Sequence, residues 1–266
     1  MSGTLVRLTG LPASVLVERD REVLIVRLDR VAKRNALDNA TLLGLESVFA
    51  AIPSGVGAVV LSANGDHFSA GLDLAELTEH DAAEGLMHSR QWHRVLERVQ
   101  FGSVPVVALL HGAVVGGGLE LAAAAHVRVA ERSAFYSLPE GTRGIFVGGG
   151  ASVRLPRLIG LGRMTDMMLT GRVVKAEEGQ QIGLSQYLVE PGEGFDFAMK
   201  LARRIAENAP MTNYAVMHAL PRIAELGQEQ GLLLESLMAA VSQDAPEAKR
   251  RLRAFLSKRA PKVGEE

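Results

Sequence analysis

The sequence contains two strand–loop–helix units with glycine-rich loops, and these units constrain the fold more than any other feature. In the first, a buried strand at residues 57–62 leads into a loop that contains residues 68–74 (FSAGLDL). In the second, a strand at residues 104–110 leads through residues 112–118 (GAVVGGG) into a helix that begins near Leu119. Glycine lets the backbone adopt positive φ and approach a ligand closely. A helix after such a loop leaves its first N–H groups unpaired, so two converging units would form an oxyanion hole.

Neither loop identifies a function by itself. The three consecutive glycines at 116–118 lack the G-x-G-x-x-G spacing of a dinucleotide site, and the sequence has no P-loop pattern. Tight packing of a strand against a helix would also explain such a loop. A third run, residues 148–150, indicates by itself only the start of a helix.

The order of the other segments predicts an α/β fold with parallel strands and right-handed crossovers. Residues 14–18 and 22–28 are expected to form a hairpin. Helices are predicted at 39–51, 82–99 and 119–125, and short strands at 127–130 and 134–137.

Strand signals end near Gly192, and only helical patterns follow. The helices predicted there cover 195–208, 211–226 with a kink at Pro221, 228–242 and 246–258. We therefore divide the chain into an α/β core, residues 1–192, and a C-terminal helical region, residues 193–266, that covers the core or mediates assembly. The leucines of this region are expected to be core residues rather than a cofactor site: Leu220, Leu226, Leu232, Leu233 and Leu237.

Composition limits the classes of function. The 266 residues include 29 Lys+Arg and 30 Asp+Glu, a net charge of −1, so no global field attracts a nucleic acid. The absence of cysteine excludes disulfides, thiolate metal sites and thiol nucleophiles. No secretory signal pattern and no run of about eighteen apolar residues is found, which predicts a cytoplasmic protein without a membrane partner.

Two glutamates accompany the glycine loops. Glu120 falls in the first turn after Gly118, and Glu140 lies in a loop that leaves a strand. Taken singly, Glu120 is explained as a partner of the helix dipole and Glu140 as a solvated loop acid. Beside two oxyanion loops, a pair of carboxylates is suited to acid–base chemistry at a developing enolate. Burial would raise their pKa values, so that one acts as base and the other as acid.

Together these segments resemble the crotonase (enoyl-CoA hydratase/isomerase) family over residues 14–260. The resemblance is carried by residues 30–37, 68–74, 116–122 and 138–156. It implies an α/β fold built as a spiral of ββα units. It also implies a C-terminal helical trimerisation region, with a homotrimer or a hexamer formed as a dimer of trimers.

The resemblance also assigns roles to residues. Glu120 and Glu140 match the two catalytic glutamates of the hydratases, and Leu72 and Gly117 match the donors of the oxyanion-hole N–H groups. Leu72 stands where a small residue is commoner in the family. Its larger side chain is expected to crowd the acyl group, whereas its backbone N–H stays available for the oxyanion hole. The CoA-binding positions are Lys33, Arg34, Ala36, Ser69, Ala70, Leu72, Phe255 and Lys258, the last two of which would reach the CoA of a neighbouring subunit. No metal and no cofactor is implied, since CoA is part of the substrate.

The implied reaction is the reversible syn addition of water to a trans-2-enoyl-CoA. Gly148 stands where dienoyl-CoA isomerases and hydroxyacyl-CoA hydrolases carry an aspartate, which counts against both. A Δ3,Δ2-enoyl-CoA isomerase, which needs one carboxylate, stays open as an alternative. So does a hydratase for a branched, aromatic or carboxylated acyl group, because Val147 stands where many hydratases have proline, with Phe146 beside it. Arg143, three residues beyond Glu140, is explained as a solvated or interface arginine; a sharper hypothesis is that it pairs with a carboxylate on the acyl group.

A catalytically silent CoA- or RNA-binding protein is the non-enzyme alternative. RNA binding would use a basic helix, and the sequence offers only the cluster at residues 249–251 (KRR). We expect that cluster on an exposed or subunit-facing helix, and no nucleic-acid partner is predicted.

Overall fold

The computed structural model describes residues 10–76 and 81–257 and consists of two compact units, Met1–Ala206 and Glu207–Glu266. The described strands all belong to the first unit. They are β1 (Val15–Asp20), β2 (Val23–Leu28), β3 (Ala58–Ala63), β4 (Val106–Leu110), β5 (Ala113–Val115), β6 (Val127–Glu131), β7 (Phe135–Ser137), β8 (Val174–Lys175) and β9 (Tyr187–Val189).

The helices of the first unit lie between and after these strands. They are α1 (Asn39–Ala50), α2 (Ala82–Gln100), α3 (Gly117–Ala124), α4 (Ala151–Ile159), α5 (Leu161–Thr170), α6 (Ala176–Ile182) and α7 (Gly194–Ala206), with short 3-10 turns at Val31–Lys33, Leu74–Glu76 and Gly141–Arg143.

The larger sheet has the strand order β1-β2-β3-β4-β6-β9. β1 and β2 form the predicted antiparallel hairpin, and every further neighbour in this sheet pairs in parallel. A smaller sheet has the order β5-β7-β8, in which β5 and β7 are parallel. The predicted α/β fold with parallel strands is therefore confirmed.

Alternate residues of the larger sheet face two separate cores, as the period of two in a strand requires. On β2, Leu24 and Val26 join the core that α1, α2 and α3 cover, whereas Val23 and Ile25 face the other side. Helix α7 covers that second side. The first unit therefore extends to Ala206 and includes residues 193–206, which we assigned from sequence to the C-terminal region.

Two helix starts are fixed by side chains. Asp38 accepts the N–H of Thr41 at 2.8 Å and caps α1. Asp81 and Glu84 form a reciprocal capping box at the start of α2. Both pairs satisfy N–H groups that a helix leaves unpaired at its start.

The second unit is helical. It contains α8 (Pro210–Tyr214), a π-helical turn at Ala215–Ala219, α9 (Leu220–Ile223), α10 (Gln228–Asp244) and α11 (Pro246–Leu256). The π turn ends just before Pro221, where a kink was predicted and where proline has no N–H to donate to the carbonyl of Met217.

The leucines of the second unit are not core residues in the single chain. Leu220 is 58% exposed, Leu233 is 63% exposed and Leu237 is 56% exposed. The expectation that they form a core is therefore wrong. They lie on α9, just after it, or on α10, at positions that the described residues of the unit leave exposed. None of the helices in the described ranges is long and apolar enough to cross a membrane.

Candidate active site

The two glycine loops lie side by side because residues of the first pair with β5 of the second. Ser69 donates its N–H to the carbonyl of Ala113 at 2.9 Å, and Val115 donates to the carbonyl of Ser69 at 3.1 Å. A methyl group on Gly118 would lie 2.7 Å from the Ser69 carbonyl oxygen, so this packing needs glycine. The convergence expected from the sequence is thus present.

The backbones of Leu72 and Gly117 lie close together on one cavity. The residues on either side of Leu72 bond to Leu37: the Gly71 carbonyl accepts from Leu37 at 2.7 Å, and the Asp73 N–H donates to Leu37 at 2.9 Å. The alternation of a β-bridge then turns the Leu72 N–H toward the opposite side. A methyl group on Gly117 would lie 3.3 Å from the Leu72 nitrogen.

Neither of these N–H groups donates to a protein acceptor within residues 10–76 and 81–257. Gly117 is the first residue of α3, where helical geometry offers its N–H no partner. Two adjacent unpaired donors beside the positive end of a helix form a site for developing negative charge on oxygen.

The carboxyl group of Glu120 accepts hydrogen bonds from two backbone groups. Its side chain is buried, and Oε1 accepts the N–H of Gly149 at 2.8 Å and that of Ala151 at 3.0 Å. Burial is the largest effect and raises the pKa of Glu120, as does the charge of Glu140, whereas the two N–H groups and Arg154 lower it. The anion therefore has three stabilising partners in a buried position.

Glu140 lies in a different environment. It is also buried, and its Oε2 has no hydrogen-bond partner among the described residues. Burial raises the pKa of Glu140, an effect that its own backbone N–H and the nearby charge of Arg143 partly offset. A carboxyl oxygen that is buried without a donor favours the protonated form. The two glutamates are thus suited to opposite roles, Glu120 as base and Glu140 as acid.

Gly116 fixes the distance between Glu140 and the second loop. Its φ is 51° and its ψ is −121°, a region that only glycine adopts without strain. A methyl group there would lie 2.5 Å from Oε1 of Glu140.

One cavity of about 340 Å³ joins these groups. Its lining includes both glutamates and the backbone of Leu72 and Gly117. Apolar and polar side chains complete the wall: Leu74, His88, Ser89, Trp92, Val115, Arg143, Ile145, Phe146 and Val147. No cluster of three or more potential metal ligands occurs in the described parts of the chain.

Six of the eight sequence-predicted CoA residues belong to the first unit. Ala70 and Leu72 line the cavity, and the Ala70 N–H donates to the carbonyl of Arg34 at 2.9 Å, which places residues 33–36 next to the loop. Lys33 and Arg34 are exposed, and Ala36 is half-buried. Ser69 does not line the cavity: it is buried, and its hydroxyl donates to the carbonyl of Asn35 at 2.8 Å.

The other two predicted CoA residues belong to the second unit. Phe255 is 63% exposed on α11. Lys258 lies outside the described residues.

Sequence reasoning missed the residues that support the site. Asn35, at φ 54°, donates from Nδ2 to the carbonyls of Asn64 and His67, which ties the segment before α1 to the first loop. Arg154 donates to the Gly149 carbonyl at 2.9 Å and so fixes the loop that binds Glu120. Gly149 was recognised only as part of a glycine run. Arg154 lies in a segment that carries the family resemblance, but nothing in the sequence indicated that it bonds to Gly149.

A model of the family described as enoyl-CoA hydratase/isomerase matches residues 18–266. The chain belongs to this family. Among its relatives is the 2,3-dehydroadipyl-CoA hydratase of Escherichia coli (strain K12), which is 33% identical over 94% of this chain and 98% of its own length. The short-chain-enoyl-CoA hydratase of Clostridium acetobutylicum is 32% identical over 92% of this chain and 95% of its own.

Solved structures of the family agree with the fold. A candidate enoyl-CoA hydratase from Rhodopseudomonas palustris CGA009 is 56% identical and superimposes with a TM-score of 0.91, covering 97% of this chain and 98% of its own. The enoyl-CoA hydratase of Bacillus anthracis is 29% identical with a TM-score of 0.87, over 95% and 100% of the two chains. The predicted crotonase family and crotonase-like α/β fold are confirmed.

Proposed function

We propose that this chain is an enoyl-CoA hydratase that adds water reversibly to a trans-2-enoyl-CoA. The observation that carries the proposal is the position of both glutamates on one cavity with two unpaired N–H donors. A Δ3,Δ2-isomerase needs one carboxylate to move a proton. Two backbone N–H groups hold the Glu120 carboxyl group in place at the cavity. This favours hydration, the reaction that needs both glutamates.

In the proposed mechanism, the thioester oxygen accepts hydrogen bonds from the N–H groups of Leu72 and Gly117. Glu120, as the carboxylate, takes a proton from water while the water oxygen bonds to C3. The π electrons of the C2–C3 bond move toward the carbonyl and form an enolate, whose charge the two N–H groups stabilise. Glu140, as the acid, then donates its proton to C2.

One turnover leaves Glu120 protonated and Glu140 ionised. A proton must therefore pass from Glu120 to Glu140, directly or through solvent, before the next substrate reacts. Loss of one oxyanion-hole donor costs about 10²–10³ in rate in a serine protease. The scheme uses only groups of the chain, and we infer that hydration continues in the presence of a metal chelator.

The CoA moiety is proposed to lie along Ala70 and the exposed segment that contains Lys33 and Arg34, whose cations suit its phosphates. The hydroxyl of Ser69 is occupied by Asn35, so Ser69 is proposed to shape the loop rather than to contact CoA through its side chain. Roles for Ala36, Phe255 and Lys258 stay predictions, as does the cytoplasmic location.

We further propose a homotrimer, alone or paired into a hexamer. The exposed leucines of the second unit support association, because soluble chains rarely leave such apolar groups uncovered. Light scattering of the purified protein gives the number of subunits directly.

The decisive experiment follows the absorbance of the conjugated enoyl thioester with crotonyl-CoA as substrate. We expect Glu120→Gln and Glu140→Gln each to lower kcat by about 10²–10⁴-fold, since each removes one proton transfer. A parallel assay with a 3-enoyl-CoA tests isomerisation. Full hydration activity in either variant would contradict the mechanism, and isomerisation without hydration would favour the isomerase.

A further inference from the structure

The part of the cavity that follows Glu140 is apolar with one cation. Ile145 is 42% exposed and Phe146 is 70% exposed, and both line the cavity beside Val147 and Leu74. Arg143 lines it too, and among the described lining residues it is the one that carries a guanidinium or ammonium group. Arg143 is itself exposed, so its guanidinium stays hydrated at the edge of this apolar stretch of wall.

Arg143 has no acceptor of its own in the described residues. It forms no ion pair and no side-chain hydrogen bond there, and its charge is felt at Glu140 without a salt bridge between the two. The exposed arginines at 132 and 172, in contrast, each bind two carboxylates. The five N–H donors of Arg143 therefore face the cavity or solvent.

The turn that carries Arg143 is firmly anchored. A methyl group on Gly141 would lie 2.2 Å from the carbonyl oxygen of Met168, so this turn packs tightly against α5. The hydroxyl of Thr142 donates to the carbonyl of Pro139 at 2.8 Å, and the N–H groups of Arg143 and Ile145 both donate to the carbonyl of Glu140. The backbone of Arg143 is thus held at a fixed position relative to the proposed acid.

We propose that Arg143 binds a carboxylate at the far end of the acyl group, so that the preferred substrates are CoA thioesters of unsaturated dicarboxylic acids. This inference rests on the proposed function. The thioester oxygen lies at the Leu72 and Gly117 N–H groups, C2 and C3 lie between the glutamates, and the rest of the chain passes Ile145 and Phe146. A guanidinium can bind a carboxylate through two parallel hydrogen bonds, which a terminal methyl group cannot replace.

The test compares two substrates of equal chain length. 2,3-Dehydroadipyl-CoA ends in a carboxylate, and trans-2-hexenoyl-CoA has the same six carbons and ends in a methyl group. We expect the wild type to have the higher kcat/KM with the dehydroadipyl substrate. We expect Arg143→Met to lower the ratio of the two kcat/KM values by about tenfold or more, mainly through KM, and Arg143→Lys to restore part of it.

The ratio matters because Arg143 also lowers the pKa of Glu140. Its removal changes proton transfer to both substrates alike, and that common factor cancels in the ratio. Arg98→Gln removes an exposed arginine of α2 that does not line the cavity, and it should leave the ratio unchanged. An unchanged ratio in Arg143→Met, or a wild type that prefers hexenoyl-CoA, overturns the proposal.

A binding measurement separates this proposal from the function on which it rests. Adipyl-CoA and hexanoyl-CoA are saturated and cannot be hydrated, so calorimetry reports recognition alone. Tighter binding of adipyl-CoA that is lost in Arg143→Met, in a protein that hydrates no enoyl-CoA, would refute the hydratase and support the carboxylate site. Hydration with equal binding of the two thioesters, in contrast, would refute the carboxylate site and leave the hydratase standing.

Discussion

Replacement of Gly116 by alanine would move Glu140 without removing it. The new methyl group would lie 2.5 Å from Oε1 of Glu140, against a normal carbon–oxygen contact of about 3.5 Å. The end of the Glu140 side chain is the part that can shift, so its carboxyl group must retreat by on the order of 1 Å. A misplacement of this size costs about 10²-fold in rate.

The substitution also strains the backbone, because Gly116 has φ 51° and ψ −121°. Strain of this kind costs about 1–3 kcal/mol and lowers the stability of the fold. Gly160→Ala is the matched control: Gly160 joins α4 to α5 with φ 82° and ψ 150°, it does not line the cavity, and no atom lies within 4 Å of its added methyl group. We expect both variants to lose stability and only Gly116→Ala to lose kcat about 10²-fold.

The assay is the hydration of crotonyl-CoA, with a thermal melt to confirm that each variant is folded. The double variant Gly116→Ala, Glu140→Gln decides whether the effect acts through Glu140. If it does, adding Gly116→Ala to Glu140→Gln causes little further loss. Equal kcat in the two alanine variants, or a full further 10²-fold loss in the double variant, would refute the placement of Glu140 as the acid.

Three further predictions concern charge and assembly. Burial raises the pKa of Glu120 above 4.5, so the folded state holds the proton of Glu120 more tightly than the unfolded state does. As the pH rises above 4.5, the free energy of unfolding of the wild type should therefore fall relative to that of Glu120→Gln. An equal change in the two proteins between pH 4.5 and pH 7 would contradict this. Arg154→Met removes a charge that lowers the pKa of Glu120, so the acid limb of the kcat–pH profile should move to higher pH; a uniform loss of kcat would indicate a structural role alone. Leu233→Glu places a charge on an exposed apolar residue and should lower the molar mass in light scattering, whereas Glu235→Gln, on the same helix, should not.

Local sequence patterns predicted the first half of the fold well because the periodicity there is unambiguous. Helix α2 was expected at 82–99 and spans Ala82–Gln100, and the hairpin, α1 and β3 also lie within one or two residues of their expected positions. Residues 151–189 carry α4, α5, α6, β8 and β9, none of which was assigned. Pro156 lies inside α4, where it contradicts a helical pattern. Strands β8 and β9 are only two and three residues long, too short for an alternation of apolar and polar residues to be recognised.

The candidate site was predictable as a set of residues but not as a geometry. Glu120, Glu140, Leu72 and Gly117 were identified through their motifs, and all four line one cavity. The opposite environments of the two carboxylates were not predictable, because the donors to Glu120 come from residues 29 and 31 positions further along the chain. Ser69 shows the reverse case: its motif indicates ligand contact, whereas a bond to Asn35 occupies its hydroxyl.

Backbone groups position the proposed reacting groups, whereas side chains line the rest of the cavity. A site built in this way can keep its chemistry while its substrate changes. The proposed oxyanion donors are main-chain N–H groups, and the donors that hold Glu120 are main-chain N–H groups as well. Their positions depend on close packing at glycines, where a methyl group on Gly71 would already lie 2.7 Å from the carbonyl oxygen of Val115. The residues proposed to face the acyl group, such as Arg143 and Phe146, take no part in that packing. We therefore expect substitution there to alter which substrates the cavity accepts, whereas a side chain added at the closely packed glycines should lower the activity with every substrate.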